Sequence, residues 1–562
     1  LRVSMRAWMR NVAAAALLAA GIQAAGTSLS PAFASPPQVQ YGGGSAQALV
    51  DGKPFLMLGG ELGNSSAGTA AQADTVLPPL AAQHFNTVLL PVAWDEIEAR
   101  QGRFDFSIPD HWIRIARQQH LHLVLLWFGS WKNAFSSYAP EWVLADGKRF
   151  PRALAADGST LPILSVFGDQ TRRRDSLAFA MLMRHVRTID SGRHTILMVQ
   201  VENEVGYLGV GGRDRSPEAN RLFAAHVPHQ LIVSLRTPAA ARLRREFAGE
   251  FARGPAGLDP AGEDWARVFG DCADEAFMAW YYARYIEQVA QAGKREYPLP
   301  MYMNAQLPAL HERAGEYPSG APYPLLQPIY RAAAPAVDFY APDIYWPDFE
   351  RWVERYREQG NPVFVPESRL DMAPYNALYA LGQARGMGFS AFGVDGAPAG
   401  AAADAPRLAD VYGILDHLGD RFIRAQAAGQ TRGLVLHLTS PRPSQTVALD
   451  GYLFRATLAR SWVTQQPLTA DGAMLIMQSA PSEFYILGSG LTVSFLRDPD
   501  AGPGVDDDVV GIAGIAELAW KDGGWTVAEQ MNGDQSDQGR ELLMDAHAMR
   551  LYRVRLYTYP GH

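Results

Sequence analysis

Between residues 40 and 418, short apolar runs alternate with stretches in which apolar residues recur every three or four positions. A run that is apolar on both faces suits a strand buried on both sides of a parallel sheet, and the stretches between suit amphipathic helices. Eight runs qualify, at 55–58, 87–92, 121–127, 196–201, 299–303, 337–340, 363–366 and 388–392. Helical periodicity is clearest at 110–118, 176–189 and 275–292. Repeated βα units in this number close most simply into a (β/α)8 barrel, which we assign to residues 35–420. The interval between Gly206 and Pro298 exceeds a normal βα loop, so it must hold extra helices that shape the barrel's upper face.

Beyond about residue 421 the pattern changes to period two. Segments 434–438, 483–487, 491–495 and 552–556 read as strands, with turns at Gly488-Ser489-Gly490 and Asp522-Gly523-Gly524. The remaining length fits a β-sandwich over 421–562, an α/β barrel followed by an all-β domain. Packing support for the barrel is its expected role, ahead of sugar binding. The acidic stretch Asp506-Asp507-Asp508 lacks the alternating ligand spacing of a calcium loop and reads as solvated.

Composition narrows the function. With 48% hydrophobic residues among 562 and a net charge of −8, the chain is globular and offers no basic surface to nucleic acid. The segment from Met5 through Arg6, Arg10 and the apolar stretch 12–22 to Ala32-Phe33-Ala34 has the form of an export signal, giving a leader at 1–34 and a mature start near Ser35. Its apolar part is too short to span a bilayer, so a periplasmic or extracellular protein without a membrane anchor is expected. Cys272 is the sole cysteine, which excludes an internal disulfide, and it reads as structural at a helix start. There is no phosphate-binding Gly-rich loop, zinc-binding His-Glu-x-x-His or nucleophilic Gly-x-Ser-x-Gly. No metal or organic cofactor is expected.

Two of the strand-like runs end in carboxylates. Val199-Gln200-Val201 leads into Glu202-Asn203-Glu204, and Val363-Phe364-Val365-Pro366 leads into Glu367. At the carboxyl ends of barrel strands, two such acids suit glycosidic cleavage, in which one protonates the leaving oxygen and the other attacks or stabilises the sugar cation. Alternation alone leaves Glu202 open beside Glu204, because residues two apart share a face. The rival reading is a set of capping or paired glutamates.

Gln200-Val201-Glu202-Asn203-Glu204-Val205-Gly206 resembles the Gln-(Ile/Val)-Glu-Asn-Glu-(Tyr/Val)-Gly segment of family 35 glycoside hydrolases, mostly exo-β-galactosidases. Their clan places an Asn-Glu pair on strand four and a Glu on strand seven. The resemblance implies that Glu204 is the acid/base, Asn203 binds the sugar 2-hydroxyl and Glu367 is the nucleophile. Trp94-Asp95-Glu96 with Gly102-Arg103-Phe104-Asp105-Phe106 is similar to a region after strand two in families 35 and 42, and is read as structural. The similarity spans most of residues 50 to 395.

The chain departs from the family at strand three, where Leu126-Trp127-Phe128-Gly129-Ser130-Trp131-Lys132-Asn133 replaces the galactose-gripping Gly-Pro-Tyr segment, and at strand eight, 388–396. It looks like a divergent bacterial branch. A retaining exo-β-galactosidase acting on terminal β-D-galactosyl residues is therefore the expectation. The alternatives are a β-glycosidase for β-glucoside, β-mannoside or α-L-arabinoside, or a carbohydrate-binding scaffold without turnover. Retention requires Glu204 to carry a proton at rest while Glu367 carries charge. Strand-end position nominates Trp131, Tyr345 and Trp346 as a sugar platform and Glu61, Lys132 and Asn304 as hydroxyl partners.

Overall fold

The alternating runs become eight parallel strands in the computed structural model, which describes residues 35–42, 45–236, 264–309, 311–396, 407–501 and 508–561. They are β1 (Met57–Glu61), β2 (Thr87–Ala93), β3 (His122–Phe128), β4 (Ile196–Val201), β5 (Met301–Gln306), β6 (Phe339–Ile344), β7 in two pieces (Phe364–Val365 and Glu367–Ser368) and β8 (Gly388–Phe389). Hydrogen bonding runs from the first piece of β7 through β8 and β1 to β6, then to the second piece of β7, so the ring closes on that strand. Inward residues such as Met57, Leu126, Met198, Tyr302, Phe339 and Phe364 fill the interior. Their neighbours face outward to helices that include Ser107–Gln118, Asp169–Asp190 and Ala273–Glu296. The last two of these approach so closely that a Cβ on Gly293 would lie 2.3 Å from the Phe179 ring.

A three-stranded antiparallel sheet, Gln38–Gly42, Ser45–Val50 and Lys53–Phe55, seals the lower end of the barrel with Val39, Ala48, Val50 and Phe55. Phe55 therefore belongs to this cap, and the first barrel strand starts later than expected and carries Glu61 at its end. The long interval after β4 contains Pro217–Phe223, His229–Leu235 and Trp265–Phe269 before Ala273–Glu296. Cys272 is buried at that helix start, with its thiol donating to Phe269 O at 3.1 Å.

Helices Leu408–Leu418 and Asp420–Ala427 end the barrel, the second running past the expected boundary, and the sheets begin at Thr431. A six-stranded and a four-stranded antiparallel sheet enclose Leu434, Phe454, Ile476, Phe484 and Val493. The outer face of the six-stranded sheet, with Val435, Leu475, Met477 and Leu518, joins the apolar cluster of the barrel helices. A Cβ on Gly433 would sit 2.5 Å from Leu378 O, so only glycine permits that contact. Asp522 and Gly523 have positive φ and turn the hairpin as expected, whereas Gly488 and Ser489 remain in strand and Gly490 alone passes the chain to the other sheet. The leader-like segment and Asp506-Asp507 lie outside the described residues. Among those described, no helix is long and apolar enough to cross a membrane.

Candidate active site

Period two places Glu61 after Met57 and Gly59 on β1, Asn304 after Tyr302 on β5, and Asp343 after Phe339 and Ala341 on β6, all pointing inward. The two critical strand ends obey no such rule. Met198 and Gln200 point inward on β4, but Glu202 and Glu204 have φ of +61° and +46°, and this left-handed backbone breaks the alternation. Glu202 turns outward, accepts from Trp131 N at 2.8 Å and meets Asp175 of the flanking helix. Burial and then the Asp175 charge push its carboxyl well above the usual range. Gly129 makes the room, since a Cβ there would lie 2.6 Å from Glu202 Oε1.

On β7, Phe364 points inward and Val365 outward, so strict alternation would turn Glu367 away. Ser390 N donates to Val365 O and Phe392 N to Ser368 O, two residues of one strand spanning three of the other. This extra residue at Pro366-Glu367 is a bulge, and it swings Glu367 into the barrel mouth.

Glu204 and Glu367 consequently face one cavity of about 390 Å³, lined also by Asn64, Lys132, Asn133, Asp343, Tyr345 and Trp346. Glu204, Asp343 and Glu367 each bring an oxygen within 4.8 Å of the other two. That set could surround a small cation, or a shared proton. Burial first, then the Glu367 charge, raises the Glu204 carboxyl to about 7, against Lys132, Asp343 and Asn133, which favour its charged form. Asn133 Nδ2 donates to Glu204 Oε2 at 2.6 Å and Tyr345 OH to Glu367 Oε2 at 2.6 Å. Glu367 Oε1 has no donor among the described residues. Asp343, fully buried, is pushed well above its ordinary range by desolvation and by the charges of Glu367 and Glu204. Glu61 is likewise raised by burial and Glu367, and neither of its oxygens has a donor among the described residues.

The remaining candidates divide. Lys132 Nζ donates to Asn203 Oδ1 at 2.9 Å, and the buried Asn203 Nδ2 has no partner among the described residues. Tyr345 and Trp346 border the cavity, and the Trp346 ring is 40% exposed at its mouth. Trp131 does not belong to a platform: it is wholly buried, its Nε1 donates to Leu164 O, and its ring packs on Tyr282 and Tyr285. Asn304 is not free for a ligand either, because its Oδ1 accepts from Glu204 N at 2.8 Å and its Nδ2 donates to Asp343 Oδ2 at 2.7 Å. It positions two acids instead. Asn133 and Asp343 went unselected in the sequence. Asn133 stands next to Lys132 but shows no periodic signal, whereas inward alternation on β6 picks out Asp343. The stretch after β2 is structural, with Trp94 Nε1 and Gly102 N both donating to Glu98.

Residues 408–543 match a family model described as "Domain of unknown function (DUF5597)". No curated protein sequence is significantly similar to this chain. Among solved structures, it is similar to a polyextremophilic β-galactosidase from the Antarctic haloarchaeon Halorubrum lacusprofundi, at 15% identity and TM-score 0.40 over 59% of this chain and 52% of that one. It is also similar to a cold-adapted β-galactosidase from Rahnella sp. R3, at 15% identity and TM-score 0.40 over 63% and 52%. The chain thus matches about half the length of each of these proteins.

Proposed function

We propose that this chain is a retaining β-glycosidase that removes a terminal sugar, with β-D-galactosides its leading substrate class. The observation that carries the reading is the convergence of Glu204 and Glu367 oxygens to within 4.8 Å in one open cavity. Retaining enzymes hold their carboxyl groups about 5–5.5 Å apart, and inverting ones about 6.5–9.5 Å, to admit a water. In this reading Glu367 Oε1 attacks the anomeric carbon while Tyr345 holds Oε2, and Glu204 gives its proton to the departing glycosidic oxygen. The C–O bond to the leaving group breaks as the bond to Glu367 forms. The ionised Glu204 then takes a proton from water, which displaces Glu367 and restores the original configuration. Asn203 Nδ2 is the donor available for a substrate hydroxyl, and Trp346 offers an apolar ring face to a sugar at the entrance.

A different sugar is the second reading, favoured by the strand-three segment, where Lys132 and Asn133 contact Asn203 and Glu204 in place of a galactose grip. Incubation with a 2-deoxy-2-fluoro-galactosyl fluoride followed by peptide mapping tests the proposal. Label on Glu367 supports it. Label on another residue overturns the mechanism, whereas label from a fluoro-glucosyl or fluoro-mannosyl probe alone overturns only galactose.

A further inference from the structure

Away from the cavity, the chain's first and last βα units meet at an array of metal-binding side chains. His84 follows the helix Ala70–Ala82, and Asp416 and His417 lie in Leu408–Leu418. One ligand atom of each lies within 4.8 Å of the others. His84 Nδ1 is 3.0 Å from Asp416 Oδ2, and the two imidazole centroids are 5.0 Å apart.

The array is held by specific contacts. His84 adopts φ of +64°, uncommon for a residue other than glycine, and its ring lies over Gly413, where a Cβ would come within 3.1 Å of Cδ2. The His417 ring is stacked on Trp520 of the six-stranded sheet, with centroids 4.4 Å apart and planes 14° from parallel. The His417 ring is thereby fixed by packing, while His84 and Asp416 are 38% and 52% exposed.

We propose that His84, Asp416 and His417 bind one transition-metal dication, zinc in particular, which staples the seam where the barrel's first and last units join. Two imidazoles and one carboxylate select zinc, cobalt, nickel or copper over magnesium or calcium. In tetrahedral zinc the ligand atoms stand about 3.3 Å apart. Zinc binding therefore draws the two more exposed side chains in toward His417 from separations of up to 4.8 Å, and water takes the fourth position. The bound ion joins residues 332 apart in sequence, so its effect falls on stability and leaves turnover unchanged.

The test uses the full untagged chain, freed of metal by a chelator. Zinc titration by calorimetry is expected to show one saturable equivalent, and the melting midpoint to rise by about 2 °C at a hundredfold excess over Kd. His84→Gln and His417→Gln should each lose both. In the unaltered chain, cobalt(II) should give the strong visible absorption of a tetrahedral site, and zinc should protect His84 and His417 from acylation by diethyl pyrocarbonate. Absence of saturable zinc binding, an equal response to magnesium, or binding retained in both variants would overturn the proposal. The cobalt and acylation readouts decide the matter even if a variant fails to fold.

Discussion

Glu202 and Glu204 stand two residues apart on one segment, and each has a second acid beside it, Asp175 for the first and Glu367 for the second. The first pair is sealed. Trp127 Nε1 and the hydroxyls of Ser130 and Tyr285 donate to Asp175, and Trp131 N donates to Glu202. Among the described residues each pair has one oxygen without a donor, Glu202 Oε1 and Glu367 Oε1, but only the second pair borders an open cavity. Burial raises an acid in both places, so a raised carboxyl does not by itself distinguish scaffold from chemistry. What separates them is an orphaned oxygen facing space that a ligand can enter.

The largest effect expected from this contrast is on turnover. Glu367→Gln and Glu204→Gln should each lower kcat on an aryl β-galactoside by about three orders of magnitude or more, with an unchanged circular-dichroism melting curve. Near-normal rates in either variant would remove that residue from the chemistry. Asp175→Ala should do the reverse, costing about 3 kcal/mol in chemical denaturation because it strands the Trp127 donor and the Glu202 carboxyl, while kcat stays within about tenfold. A loss of turnover with unchanged stability would make the sealed pair the functional one.

A smaller effect concerns pH. In the proposed mechanism the leaving oxygen takes its proton from Glu204, whose carboxyl is raised to about 7, so kcat/KM should fall as pH rises through about 7. Asn133 favours the charged form, and Asn133→Gly, which suits the φ of +49° there, should move that alkaline limb to higher pH. A limb that stays in place would assign it to another group. The smallest contrast sets Trp346→Ala, expected to raise KM several-fold at constant stability, against Trp131→Phe, expected to cost about 1–2 kcal/mol at constant KM.

The barrel was legible because strands buried on both faces must be apolar throughout, and all eight runs became strands. Ends were less so: Phe55 has the composition of a barrel strand but serves the lower cap. At the site, Glu204 and Glu367 stood out as acids ending apolar runs, yet the reason they share a cavity was hidden. Alternation points to Glu202 as readily as Glu204 and turns Glu367 outward, and the left-handed residues and the bulge that reverse this have no period. Trp131 and Asn304 misled because strand-end position fixes where a residue starts and not where its side chain goes. Trp131 found tyrosines, and Asn304 found two acids that needed holding.

Proline at 366 has no amide hydrogen to offer a neighbouring strand, and the slack it introduces lets one additional residue loop out beside β8 without parting the cylinder. Straightening the joint at unchanged length would restore regular pleating and rotate Glu367 by half a turn into the helical shell. The protein would keep its shape and lose its reagent. In the proposed glycosidase the bend of this joint, and not the composition of the strand, therefore separates a nucleophile from an inert side chain.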